Sequence, residues 1–343
     1  MKKKILFIIG STNQTIQMHK IASHLQEYDC YFSQIYDKAP HIQLAIKAGL
    51  LEKTIISGSF KQRSEEYLKE NSLKNDYAGS FYDNKYDLAV LCTDLIIPNE
   101  LRKIKTIFVQ EGMTDMLTKW GRIVKALGLP PYMALDTSLN GSSNRCDVYC
   151  VASQGYKNYF SGMGTEESKL IVTGIPNFDN VKEYLNNDFP VKHYVMVATS
   201  DIRECFGIDN RKKFIADAVS IAKGRQLLFK LHPNESVKRA IKEIRDNTPE
   251  DTMIYTNGNA NHMIANCDEL ITQYSTLAYV GIVLGKKVHS YFEVEQLKRL
   301  VPEQNDGTSA KNIAWICRNF VEYKGTKKEF LNGVSKITKE VAA

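Results

Sequence analysis

Long apolar runs are missing from this chain. Nowhere among its 343 residues do eighteen apolar side chains follow one another, which excludes a membrane-spanning helix. No signal peptide is expected, because Met1-Lys2-Lys3-Lys4 leads into only five apolar residues, Ile5 to Ile9, before Gly10-Ser11. Cysteine is sparse and odd in number. The seven thiols, at positions 30, 92, 146, 150, 205, 267 and 317, sit partly in apolar, strand-like settings and suit the reducing cytoplasm. Cys146 and Cys150 have no second Cys/His pair at metal-ligand spacing, so zinc is not expected. Neither a G-x-G-x-x-G fingerprint nor a P-loop lysine motif occurs, and there is no internal repeat or low-complexity segment. One sign of charge does not dominate: 45 Lys+Arg face 39 Asp+Glu for a net +6, with both signs interspersed. That excludes a nucleic-acid footprint and favours anionic small molecules, with a weak pull toward acidic lipid.

What is present is strand–helix alternation. Lys4 to Ile9 is a continuous apolar run, as in a strand buried on both faces, and an amphipathic stretch from Gln17 to Leu25 follows the turn Gly10-Ser11-Thr12-Asn13. Similar strands are expected at Tyr86–Cys92, Lys105–Val109, Asp147–Ala152 and Leu170–Thr173. The pattern relaxes between Phe178 and Lys192, then restarts with strands at His193–Ala198, Gln226–Leu231, Met253–Tyr255, Glu269–Thr272 and Lys287–Ser290. Helices are expected over Arg211–Ala222, Val237–Arg245 and Thr276–Leu284, and across the last twenty residues. This pattern predicts an α/β architecture of two domains in tandem, meeting near residues 176 to 192.

In such sheets ligands bind past the carboxyl ends of strands, so the residues there carry the functional information. Ser11 closes the first strand, where a tight strand-to-helix turn is an equal reading. Lys230 and His232, in Lys-Leu-His-Pro-Asn-Glu235, can meet a pyrophosphate, or the histidine can be structural. Tyr274, Ser275 and Thr276 open a helix, where the hydroxyls either cradle an anion or simply cap the helix. Asp94 and Glu111 each lie just past a strand and are candidates for acid–base work, against a surface salt bridge as the bland reading. Gly112 beside Glu111 allows close approach of a ligand.

Taken together these segments resemble the GT-B group of nucleotide-sugar enzymes. Thr173-Gly-Ile-Pro-Asn-Phe-Asp179 is similar to the segment before the interdomain link in two of its families. These are the non-hydrolysing UDP-N-acetylglucosamine 2-epimerases and the transferases of CDP-glycerol glycerophosphotransferase and capsule type. Asp201-Ile-Arg-Glu-Cys-Phe-Gly207 resembles the epimerases' Arg-Glu loop, whereas Lys230-Leu-His-Pro and Ile271-Thr-Gln-Tyr-Ser-Thr276 are closer to the transferases. The sequence departs from the epimerases at Asp201, where they have histidine, and over Ser275–Val280, where their ribose-holding Glu is missing. By order and strand context, Asp94 and Glu111 match the epimerases' catalytic carboxylates; the further acidic residue expected between Met116 and Pro131 is not there.

The resemblance implies an α/β GT-B fold, two Rossmann-like domains facing across a cleft. An acceptor and catalytic domain would span 1–178, a nucleotide-donor domain 179–325, and a C-terminal helix, 326–343, would return toward the first. The activity it implies is metal- and cofactor-independent transfer of a sugar or polyol-phosphate from a nucleotide-activated donor to a surface-glycan or lipid-linked acceptor. Glu111 would be the base, pointing into the cleft, with Asp94 its competitor or partner. Ser11, Arg203, Lys230, His232, Tyr274, Ser275 and Thr276 would bind the donor. An epimerase and a non-catalytic nucleotide-sugar-binding protein are the alternatives. A cytoplasmic protein working at the inner face of a membrane, without insertion, and forming a homodimer completes the expectation.

Overall fold

The computed structural model describes residues 2–52, 54–82, 85–204 and 209–341; Cys205 to Gly207 of the Arg-Glu segment lie outside them. The chain divides into two compact units, Met1–Asp179 with Pro302–Ala343, and Asn180–Val301.

The first unit holds a six-stranded sheet of β1 (Lys4–Ile9), β2 (Asp29–Gln34), β3 (Leu88–Leu91), β4 (Lys105–Val109), β5 (Val148–Val151) and β6 (Leu170–Val172). Their order is β2-β1-β3-β4-β5-β6, every pair parallel. Ile5 to Ile9 are fully buried, as a strand covered by helices on both faces requires. Because the strands are parallel, the loops after them emerge at one edge, with Leu91 of β3 level with Phe108 of β4. The helices are α1 (Thr12–Ala22), α2 (Pro40–Lys47), α3 (Gly58–Glu70), α4 (Lys119–Ala126) and α5 (Gln154–Gly162).

The second unit is a parallel sheet of β7 (Val195–Ala198), β8 (Leu227–Lys230), β9 (Met253–Tyr255), β10 (Glu269–Thr272) and β11 (Lys287–His289), in the order β11-β10-β7-β8-β9. Helices α6 (Arg211–Ala222), α7 (Val237–Arg245), α8 (Ala260–Asn266) and α9 (Leu277–Val283) connect these strands, and α10 (Val294–Leu300) follows the last of them. Its core is one cluster in which Phe214, Ile215 and Ala218 of α6 pack on Val195, Val197 and Phe229 of the sheet.

The chain then re-enters the first unit at Pro302, not at residue 326 as the sequence pattern suggests. Both α11 (Ser309–Glu322) and α12 (Lys327–Val341) belong there. The apolar stripe of α11, including Ile313, Cys317 and Phe320, is buried, and α11 packs on α1 and β4. Lys105 of β4 donates to the carbonyls of Phe320 and Tyr323, each at 2.7 Å, satisfying orphan acceptors at the end of α11. An amphipathic stripe shows that a helix covers a sheet, but not which sheet, so this return is invisible in local pattern.

Candidate functional site

In the first unit the turn after β1 and the loop after β4 are tied together. Ser11 is the N-cap of α1, and with Gln14 it forms a reciprocal capping box. The Gln14 backbone N–H donates to Ser11 Oγ at 3.2 Å, and Ser11 N–H donates to the Gln14 side chain at Oε1, 3.0 Å away. The remaining end of that side chain, Nε2, donates to Glu111 Oε2 at 3.2 Å. Glu111 is half-buried and has no other side-chain hydrogen bond among the described residues. Burial pushes its carboxyl above the ordinary range, and the Gln14 hydrogen bond only partly opposes this. Gln110, beside it, is anchored by accepting from Ala152 N–H at 2.9 Å and donating to Gly112 O at 2.8 Å. The carboxylate therefore sits on a fixed backbone with one oxygen uncommitted, an arrangement open to proton transfer.

Asp94 is placed quite differently. It is completely buried, and it accepts from Gly141 N–H at 2.6 Å, Ser143 N–H at 3.0 Å and the Tyr149 hydroxyl at 3.2 Å. Burial raises its pKa, against the lowering by those donors. The carboxylate clamps the loop 139–146 onto the sheet. Gly141 in that loop has φ +78°, and a Cβ there would come within 2.7 Å of the Phe160 ring, so only glycine serves. The structure thus joins Ser11 to Glu111 but gives Asp94 an enclosed, loop-holding place.

In the second unit, the expected phosphate ligands separate into two groups. Lys230 is buried and spends its ammonium on the carbonyls of Leu231 at 2.8 Å and Thr256 at 3.3 Å; burial lowers its pKa. Arg203 forks onto Glu243 of α7 with two bonds of 2.8 Å. Neither cation is turned outward to an anion. His232 and Ser275 are more open. His232 Nδ1 accepts from Asn234 N–H at 3.2 Å, which in the neutral ring leaves the proton on Nε2 as a donor. Ser275 Oγ accepts from Leu277 N–H at 3.3 Å, and Thr276 begins α9 with no side-chain capping bond. Tyr274 is exposed and packs edge-on against Tyr291 and Phe292, with centroids 5.4 and 5.0 Å away.

A buried relay joins these two loops, and sequence reasoning missed it. His232 N–H donates to Glu235 Oε2 at 3.1 Å, and Glu235 Oε1 accepts from Arg211 at 2.6 Å. Arg211 also holds Asp209 at 3.0 Å, and Asp209 accepts from Gln273 Nε2 at 2.7 Å. Gln273 Oε1 in turn accepts from Ser200 Oγ at 2.6 Å. Arg211 Nη1 is buried with no partner among the described residues. No local signal announces this relay, whereas the Ser-x-x-Gln spacing of Ser11 and Gln14 is a readable capping box. Among the described residues no three His, Cys, Asp or Glu side chains form a group that could hold a metal.

The architecture defines the class: the chain has an α/β GT-B fold of two Rossmann-like domains. A UDP-N-acetylglucosamine 2-epimerase from Rickettsia bellii matches it with TM-score 0.55 at 12% identity, over 94% of this chain and 98% of that one. The Neisseria meningitidis UDP-GlcNAc 2-epimerase bound to UDP-GlcNAc matches with TM-score 0.51 at 13% identity, over 96% and 94%. The wall teichoic acid polymerase TagF matches with TM-score 0.51 at 15% identity, over 94% and 89%. No protein-family model matches the sequence, and no curated protein matches it significantly.

Proposed function

We propose that the protein is a nucleotide-sugar enzyme that transfers a sugar or polyol-phosphate to a surface-glycan or lipid-linked acceptor. The observation that carries this is the contrast between the two carboxylates past β3 and β4. Asp94 is fully enclosed and accepts from three donors, while Glu111 is desolvated and held by Gln14 alone. One available base suffices for transfer: Glu111 takes the proton of the acceptor hydroxyl as that oxygen attacks the donor, and the nucleotide departs with the bonding pair. In the second unit, His232 Nε2 and the hydroxyls of Ser275 and Thr276 are the candidates to donate to a nucleotide's phosphate, and Tyr274 offers a face to its base. Arg203 and Lys230 support their loops. Metal and cofactor independence belongs to the same proposal.

The solved structures with the same fold supply the second reading, 2-epimerisation, since those named as epimerases include one bound to UDP-GlcNAc. The test is incubation of the chain with UDP-, CDP-, CMP- and GDP-linked donors, with and without glycan or lipid-linked acceptors. Nucleotide release that requires an acceptor supports transfer. Conversion of UDP-N-acetylglucosamine to its manno isomer with no acceptor establishes the epimerase instead. Tight binding with neither outcome makes it a binding protein.

A further inference from the structure

The first unit carries an apolar stripe that its own core does not use. In α4, Val124 and Gly121 face inward, Val124 packing with Ala134, Leu139 and Met163. The adjoining stripe presents Trp120, Ile123 and Leu127, spaced i, i+3 and i+7, with 47%, 47% and 67% of their surface exposed. The indole is fixed in that position, since Trp120 Nε1 donates to Met133 O at 2.9 Å. Met133 is itself exposed, and Leu135 after it is 88% exposed with φ +62°. A leucine in the left-handed region is strained, and a leucine so exposed has little among the described residues to reward that strain. Tyr132, just before Met133, meets His41 Nε2 at 3.3 Å, which brings up α2 and its exposed Leu44 one turn further along.

Within the segment 116–135 that carries this stripe, every charged side chain is a cation. Lys119 and Arg122 are exposed and form no ion pair among the described residues, and Lys125 is turned aside to Met163 O. No carboxylate occurs between Asp115 and Asp136 in the sequence. Those two bound the segment at its ends, where Asp115 accepts from Thr137 Oγ1 at 2.7 Å and Asp136 from Ser138 N–H at 2.9 Å. A second copy docking through the same face would set these cations against each other, whereas an anionic bilayer complements them. No helix of the described residues is long and apolar enough to cross a membrane, so the contact is peripheral.

We propose that Trp120, Ile123, Leu127, Met133 and Leu135, with Lys119 and Arg122, form a docking surface for anionic phospholipid bilayers. The stripe enters the headgroup boundary, the indole lies at the interface and the two cations meet lipid phosphates. The proposal does not depend on the reaction catalysed.

The test uses the full chain with vesicles rich in phosphatidylglycerol and with pure phosphatidylcholine vesicles. With Trp315→Phe, Trp120 becomes the lone indole, since the chain has 2 tryptophans. Expected are sedimentation with the anionic vesicles, weakened by salt, and a blue shift of Trp120 emission. Ile123→Asp with Leu127→Asp should cut partitioning by at least roughly tenfold. Lys119→Gln with Arg122→Gln should cut it by roughly thirtyfold on anionic vesicles only. Melting temperatures should hold, because all four side chains are exposed. Failure to sediment with either vesicle, or binding indifferent to both pairs, overturns the proposal. So does self-association without lipid that Ile123→Asp abolishes, which would make the face an interface between copies.

Discussion

Gln14 donates its side-chain amide to Glu111 at 3.2 Å while the other end of that amide accepts from Ser11, so the residue that caps α1 also sets the carboxylate past β4. A helix cap is ordinarily a matter of local stability. Here it reaches 97 residues along the chain to the proposed base.

Glu111→Gln keeps the shape and the Gln14 contact but removes the base. Turnover of an identified donor–acceptor pair should fall by roughly two to four powers of ten. Stability should not fall with it. The folded carboxyl is raised by burial, so its ionisation above the ordinary carboxylate range works against folding, and the amide is relieved of that cost. Activity and melting temperature of the variant, measured side by side at neutral pH, check both. Gln14→Leu should shift the acid limb of the rate profile to higher pH, because the bond that lowers the Glu111 pKa is gone.

Asp94→Asn should behave in the opposite way. An amide nitrogen would have to face the N–H of Ser143 and the hydroxyl of Tyr149, which already accepts from Cys146 N–H at 3.1 Å. The loss is about 1–3 kcal/mol. A lower urea midpoint is expected, with residual activity following the folded fraction. A fully stable but inactive Asp94→Asn would reverse the roles given to the two carboxylates.

His232→Ala and Ser275→Ala should each weaken nucleotide binding with little change in melting temperature. Arg211→Met should do more. It leaves Glu235 buried without its cation and Asp209 with only the longer contact to Arg203 at 3.8 Å, a change worth about 3–5 kcal/mol, and it releases the loop that holds His232. Donor titration together with thermal unfolding separates the two kinds of effect.

Glu269, at the start of β10, gives a pH signature. Burial raises its pKa, but bonds from His289, Arg225 and Lys287 outweigh that and hold it at about 2. A depressed carboxyl contributes stability above its unfolded value and loses it as pH falls through the folded one. Glu269→Gln should therefore be less stable than wild type near neutrality, and the gap should close between pH 4.5 and about 2. Unfolding curves across that range decide it.

How far the sequence is legible follows from where each residue finds its partners. The apolar runs at β1, β4 and β5 announce themselves because strands covered on both faces exclude polar side chains. β2 does not, since Asp29, Ser33 and Gln34 break the run, and α3 is too polar to stand out. A carboxylate just past a strand is visible at both Asp94 and Glu111. What encloses Asp94 is not, because its donors lie 47 to 55 residues further on, in a loop without regular pattern. Arg203 likewise looks free until Glu243, 40 residues away on α7, is brought beside it.

The re-entry at Pro302 has a consequence for the order of events during synthesis. Every strand of the first sheet has been made by Val172, yet α11, which covers part of it, arrives only after Val301. The intervening 180–301 segment is contiguous and carries its own core, so it can close while the ribosome is still working. The opening segment must meanwhile wait with the apolar surface that α11 covers on α1 and β4 exposed. Nascent chains stalled before residue 302 should thus bind chaperones through their earliest-made part, and a separately expressed 309–341 peptide should relieve them.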